Sequence, residues 1–183
     1  MIEAAKAVFM EQGYANATLD EVIRRSGGSR ATLYKQFGDK DGLFAAIIAE
    51  ICAEMTAPLA NPPANQTPEA ALLAFGRAFM AGLMAPSGLA LYRVVIGEAE
   101  RFPELAEAVY RSGPNAAAEQ LAVHLRHWRL SNADRAARQF LEMIKGDLHF
   151  RALLRLEPVP TQAEIEDCVK SAIRLFLAGV PKH

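Results

Sequence analysis

Apolar residues recur at spacings of three and four along nearly the whole chain, the period of an amphipathic helix. Alternating strand patterns, Asn-Gly hairpin turns and internal repeats do not occur, so the expected fold class is all-α. Ile2, Ala5, Val8 and Phe9 predict a first helix running to about Gln12 and closed by Gly13. A second helix starts at Thr18, where Thr-Leu-Asp-Glu has the form of a capping box. The Thr18 hydroxyl is expected to take a backbone N–H while Glu21 reaches back to the cap. Leu19, Val22 and Ile23 then face inward. Gly27 and Gly28 supply a tight turn, Ser29 caps the third helix, and Leu33 and Phe37 anchor it. Two short helices joined by a glycine turn form a helix-turn-helix pattern.

Asp39 is placed to cap a long fourth helix through Leu43, Phe44, Ile47, Ile48 and Ile51, fading at Ala57 and Pro58. The proline-rich stretch from Pro58 to Pro68 reads as a loop. Further helices are expected at about 68–84, 88–101, 103–111, 114–128, 132–154 and 161–179. Pro86, Pro103, the Gly113-Pro114 pair and the Pro158/Pro160 pair separate them. This pattern divides the chain near residue 45, into an N-terminal three-helix helix-turn-helix part, 1–45, and a larger helical part, 46–183. The fourth helix belongs to both.

Length and composition change this picture little. The 183 residues suffice for real cores, and 51% apolar with 22% charged residues is ordinary globular usage. No apolar run reaches the roughly 18 residues of a membrane span, and no basic segment with an apolar core opens the chain. A cytoplasmic protein without a membrane partner is expected. Cys52 and Cys168 lack metal or disulfide spacing and read as small hydrophobes, a redox pair being the minor alternative. His124 and His127 lie at i and i+3 without a further ligand nearby, so no metal site is expected, and no cofactor. No nucleophile elbow, phosphate loop, dinucleotide fingerprint or catalytic carboxylate pair occurs, which argues against an enzyme.

Charge is informative by its distribution. The formal net charge is −1, yet from Val22 to Lys40 five cations face Asp39 alone, a local +4. With Leu33 and Phe37 inward, Arg30, Ala31, Thr32, Tyr34, Lys35 and Gln36 project outward, a set suited to phosphates and base edges. Lys40 stands in the first turn of its helix, where a cation opposes the macrodipole. It therefore suggests an outside anion, with neutralisation by Asp39 and Asp41 as the alternative.

The segment from Phe9 to Phe44, FMEQGYANATLDEVIRRSGGSRATLYKQFGDKDGLF, resembles the DNA-binding domain of the TetR family. The resemblance rests on the aromatic-x-x-x-Gly-Tyr end of the first helix, the Thr-capped second helix, the glycine turn, Thr-Leu-Tyr-x-x-Phe, and Lys-x-x-Leu. It implies that Thr32, Tyr34 and Lys40 hold the phosphate backbone, with Ser29 near a phosphate and Thr18 among the DNA-binding candidates. Arg30, Ala31, Lys35 and Gln36 fall where base or adjacent backbone contacts occur. For Tyr34 the competing reading is a partly buried core aromatic; Arg24 and Arg25 read as a solvated helix face. The chain departs from the family at Ile23 and Gly28, so a looser turn is expected. It begins almost inside the first helix, so the basic arm of many relatives is expected to be missing.

In the larger domain, LALYRVVIGEAERFPELAEAVYRSGP resembles the AefR-like branch of the family's C-terminal domains. The last two helices carry apolar residues on more than one face: Phe140, Ile144 and Leu148 on one, Met143, Phe150 and Leu154 on another, then Ile165, Val169, Ala172, Ile173, Phe176 and Val180. A second stripe implies a second partner. A four-helix homodimer interface is expected from Phe140, Ile144, Leu148, Ile165, Val169, Ile173 and Phe176, burial within one subunit being the alternative. Bulky residues on the middle helices predict an apolar effector pocket with Phe75, Phe79, Tyr92, Arg93, Tyr110, Trp128, Met143 and His149. The expected protein is a repressor of a palindromic double-stranded DNA operator, released by a small apolar or amphipathic molecule. A helical small-molecule-binding protein or enzyme without DNA binding, and a DNA binder without effector, remain the alternatives.

Overall fold

A computed structural model describes residues 1–56 and 67–179; the expected loop lies outside the described residues over 58–66, as does Val180. Among the described residues the chain is helical without strands. The helices are α1 (Ile2–Asn16), α2 (Leu19–Ser26), α3 (Arg30–Phe37), α4 (Lys40–Thr56), α5 (Pro68–Met84), α6 (Pro86–Glu98), α7 (Pro103–Tyr110), α8 (Ala116–His127), α9 (Ala133–Leu153) and α10 (Gln162–Gly179). They form two compact units, Met1–Ala53 with Ala90–Ser112, and Glu54–Leu89 with Gly113–His183.

In the first unit α2 and α3 have eight residues each, too few to persist alone, so burial must hold them. Val22 and Leu33 are fully buried, and α4 contributes Leu43, Phe44, Ile47 and Ile48. Beside them is an aromatic cluster. Tyr14 lies 4.8 Å from the Phe44 ring and 4.6 Å from the Phe102 ring, both edge-on, and Phe9 lies 4.9 Å from Phe44. Gly13 (φ 74°, ψ 167°) breaks α1 but does not end it, and helical hydrogen bonding resumes to Asn16. Lys6 joins α1 to Glu50 of α4 at 3.1 Å. An apolar cavity of about 10 Å³, room for one water, lies among Phe9, Met10, Phe44, Ile47, Ile51, Leu91 and Val94, with Lys6 at its edge.

Two expected separators behave differently. Pro86 opens α6 instead of preceding it, because the first position of a helix needs no N–H partner; Ala85 before it is extended (ψ 147°). The Gly113-Pro114 pair does not interrupt the chain either. Residues Arg111–Asn115 form a π turn between α7 and α8, and the wider turn accommodates a proline that an α-helical ladder would reject.

In the second unit α9 packs on α8 and α10, and α5 packs on α9 and α10. Gly76 lets α5 approach α10 closely: a Cβ there would lie 2.7 Å from Cγ1 of Val169. Thr67 caps α5, its Oγ1 accepting from Ala70 N–H at 3.2 Å. At α10 a reciprocal capping box forms, with Thr161 Oγ1 accepting from Glu164 N–H at 3.2 Å and Glu164 Oε2 accepting from Thr161 N–H at 2.8 Å. Gly146 (φ 50°) kinks α9, and the Cys168 thiol donates to the Ile144 carbonyl at 3.4 Å beside the kink.

The stripe assigned from sequence to the dimer is largely internal to one subunit. Phe140, Ile144, Leu148, Ile165, Val169 and Ile173 are buried within one subunit, filling the contacts among α5, α9 and α10. Side chains already withdrawn from water cannot offer surface to a second chain. Phe176 is half-buried, its ring 5.1 Å from Phe140. The second stripe on these helices is the exposed one: Phe150, Leu154 and Leu175 retain 63%, 53% and 65% of their surface. No single described helix is long and apolar enough to cross a membrane.

Candidate nucleic-acid interface

The chain from Thr18 to Lys40 builds a rigid corner from local hydrogen bonds. Thr18 caps α2, its Oγ1 accepting from Glu21 N–H at 3.3 Å. The reciprocal bond expected from Glu21 is not made. Its carboxylate instead accepts from Arg24 Nη2 and Arg25 Nε, each at 2.6 Å, because two guanidinium groups lie one turn ahead and outcompete a backbone amide. Those arginines hold the Glu21 carboxyl at about 2. Arg25 also reaches Glu11 of α1 at 2.8 Å.

Gly27 ends α2 in the left-handed conformation (φ 66°, ψ 11°), its N–H bonded to the Ile23 carbonyl at 3.1 Å. Gly28 N–H donates to Ser26 Oγ at 3.3 Å. The turn thus carries two hydrogen bonds where a looser backbone was expected. Ser29 Oγ then accepts from Thr32 N–H at 3.1 Å and lies 2.9 Å from the Thr32 hydroxyl. Asp39 caps α4, accepting from Gly42 N–H at 2.8 Å.

On α3 only Leu33 is buried and Phe37 is half-buried; Arg30, Ala31, Thr32, Tyr34, Lys35 and Gln36 are exposed, as are Thr18 and Ser29. Tyr34 keeps 47% of its surface. A one-turn core with an open outer face leaves polar donors where a groove could receive them.

The charges are more committed than the sequence window indicates. Arg24 and Arg25 are bonded to Glu21, and Arg30 is bonded to Asp20 of α2. Counting Asp20 and Glu21 lowers the local charge from +4 to +2. Lys40 has internal partners too: its Nζ donates to the Ala15 carbonyl at 3.1 Å and lies 4.7 Å from the centre of the Tyr14 ring. Burial lowers its pKa, opposed by Asp41 and Glu98. Tyr14 in turn donates its hydroxyl to Asp41, and burial with that bond raises the phenol pKa. The carbonyl end of α1 therefore supplies a reason for a cation at Lys40 that the macrodipole argument missed. Tyr14 is legible from sequence only as the Gly-Tyr end of α1, and neither it nor Asp20 is marked there as a partner in this charge network. Asp20 was visible inside the Thr-Leu-Asp-Glu motif, but only as helix-start chemistry.

The residues expected to line an effector pocket are divided between the units. Phe75 and Phe79 of α5 and His149 of α9 are buried in the second, with Trp128 and Met143 half-buried there. Tyr92, Arg93 and Tyr110 belong to the first, and Tyr110 is 56% exposed. None of the eight lines the cavity beside Phe9 and Phe44. Burial, with the nearby Lys145 ammonium, holds His149 at about 4.

A capped helix, a left-handed glycine turn and a second helix with an open polar face define a helix-turn-helix DNA-binding transcriptional regulator. Residues 1–47 match the family described as bacterial regulatory proteins, tetR family, and residues 70–179 match the AefR-like transcriptional repressor, C-terminal domain. The chain belongs to the TetR family. The HTH-type transcriptional regulator BetI of Rhizobium meliloti (strain 1021) is 27% identical over 179 residues, covering 95% of this chain and 88% of BetI. The solved structure of the Flavonoid-responsive Regulator FrrA has 31% identity and a TM-score of 0.85, covering 100% of this chain and 95% of its own. A TetR-family regulator from Mesorhizobium loti MAFF303099 has 26% identity and a TM-score of 0.83, covering 99% and 95%. Regulators of this family bind DNA operators and typically act as dimers with small-molecule effectors.

Proposed function

We propose that this protein is a cytoplasmic repressor that grips a palindromic operator as a homodimer and lets go when a small apolar or amphipathic molecule binds. Residues 1–45 act as the DNA-binding domain and residues 46–183 as the ligand-binding and dimerisation domain. The observation that carries the DNA-binding part is the open face of α3, where every residue but Leu33 and Phe37 is exposed. Thr18, Ser29, Thr32, Tyr34 and Lys40 serve the phosphates, and Arg30, Ala31, Lys35 and Gln36 the base edges. The exposed Phe150, Leu154 and Leu175 support pairing through the outer face of α9 and α10. Phe75, Phe79, Trp128, Met143 and His149, gathered in the second unit, are the stronger part of the proposed effector set, with Tyr92, Arg93 and Tyr110 completing it. The likeness to a flavonoid-responsive regulator over the whole chain favours an aromatic, hydroxylated effector.

Selection of duplexes from a random pool tests the DNA half, and a two-fold symmetric winner is expected. Tyr34→Ala and Lys40→Ala should each weaken binding to all sequences, and Lys40→Ala, which removes a cation, should also reduce the salt slope by about one. Unchanged affinity in both, with helicity intact, would remove them from the interface. Calorimetric titration of a flavonoid with and without the selected duplex tests the other half. Linkage requires a reciprocal loss, about a hundredfold for a ligand that discriminates the two states by ~3 kcal/mol. Equal affinities would exclude induction by that molecule.

A further inference from the structure

Arg30, the first residue of α3, is bonded through Nη2 to Oδ1 of Asp20 in the first turn of α2, ten residues earlier and across the glycine turn. Both side chains are open to solvent, 64% and 70% exposed. An ion pair this exposed adds little to folding. It also leaves a carboxylate on the corner that meets a polyanion, where only the arginine neutralises it. Arg24 is different: it bonds to Glu21 in its own helix, one turn away. The Asp20–Arg30 pair is thus costly for affinity and nearly idle for stability, which asks for another role.

We propose that Asp20 is a specificity-determining residue that positions Arg30 for base reading. A guanidinium is planar with its donors in fixed forks, so a carboxylate on one Nη2 hydrogen orients the plane and leaves the other Nη2 hydrogen to form a fork with Nη1 or Nε. A guanine edge presents two acceptors in the major groove and is the usual partner of such a fork. If Arg30 swings away to a phosphate, Asp20 is left as an uncompensated negative charge beside the backbone. The carboxylate thereby penalises binding modes in which Arg30 is not reading a base, and discrimination comes from a repulsive element as well as an attractive one. This rests on the assignment of α3 to the major groove.

The test compares the full-length wild type, Asp20→Asn and Arg30→Ala by duplex selection, followed by titration of the winner and single-base variants over a range of salt. Asp20→Asn is expected to bind unrelated duplexes more tightly, with a salt slope steeper by up to about one. Preference at one base pair of each half-site should fall about tenfold, at the position that Arg30→Ala also relaxes. In the Arg30→Ala background, Asp20→Asn should still raise general affinity but leave preference unaltered. A wild type that selects a duplex while Asp20→Asn keeps every base preference would overturn the positioning role and leave the DNA-binding assignment standing. A relaxed position different from that of Arg30→Ala would overturn it too. No duplex selected by the wild type would overturn both.

Discussion

Thr18–Glu21 and Thr161–Glu164 share the same Thr-x-x-Glu spacing at the start of a helix, yet they end in different structures. At α10 the threonine and glutamate close a reciprocal box, and the backbone bond from Thr161 lowers the Glu164 pKa. At α2 the threonine caps but the glutamate serves Arg24 and Arg25. The contrast extends to whole regions. Where DNA is to be met, short helices are held by a few buried residues and the charged side chains are tied to one another. In the second unit, long helices bury Phe140, Ile144, Leu148, Val169 and Ile173 against α5, so stability there rests on packed apolar volume. A surface that must exchange its partners uses exposed ion pairs, which are weak in water, while a scaffold uses burial, which is not.

Three measurements would break or sharpen that contrast. The largest effect is expected at Phe140→Ala, which removes a ring fully withdrawn from water and stacked edge-on with Phe176. It should cost about 3–5 kcal/mol by denaturant unfolding. A loss below about 1 kcal/mol would show that the contact of α9 with α10 is not a stabilising core.

His149 comes next. Its folded pKa is depressed to about 4 from the ordinary histidine value of about 6.5, so the unfolded chain binds more protons between those limits. Stability is therefore full above pH ~6.5 and is lost as pH falls toward 4, by about 2–3 kcal/mol. His149→Gln should flatten that limb of the pH profile. An unchanged slope between pH 6.5 and 4 would mean that this imidazole is not buried neutral. Carboxylates such as Glu166, held at about 2 chiefly by Arg77, act mainly below pH ~4.5 and overlap only the foot of this limb, equally in wild type and in His149→Gln.

The smallest effect separates the two helix starts. Thr161→Ala loses the cap bond and the hydroxyl tie to Glu164 and should cost about 1 kcal/mol. Thr18→Ala loses the cap bond only and should cost less, while weakening DNA binding if Thr18 meets a phosphate. Equal costs would show that the hydroxyl tie to Glu164 adds nothing at α10.

By itself the sequence determined what depends on neighbours within a turn or two. Helix periods, the left-handed turn at Gly27, the caps at Thr18, Ser29 and Asp39, and the outward set on α3 all follow from spacings of four residues or fewer. These groups lie within a turn or two of one another, so they meet once burial holds the short helices. The same local logic placed breaks at Pro86 and Gly113-Pro114; the first is made, with Pro86 itself opening the next helix, while at the second a π turn accommodates the proline. Only the tertiary structure decided which apolar stripe of α9 and α10 faces α5 and which stays open as Phe150, Leu154 and Leu175. It also decided that Lys40 lies on the end of α1 and that Arg30 is held by Asp20. Periodicity tells which residues share a face but not what covers it, and an ion pair formed ten or more residues apart leaves no spacing to read.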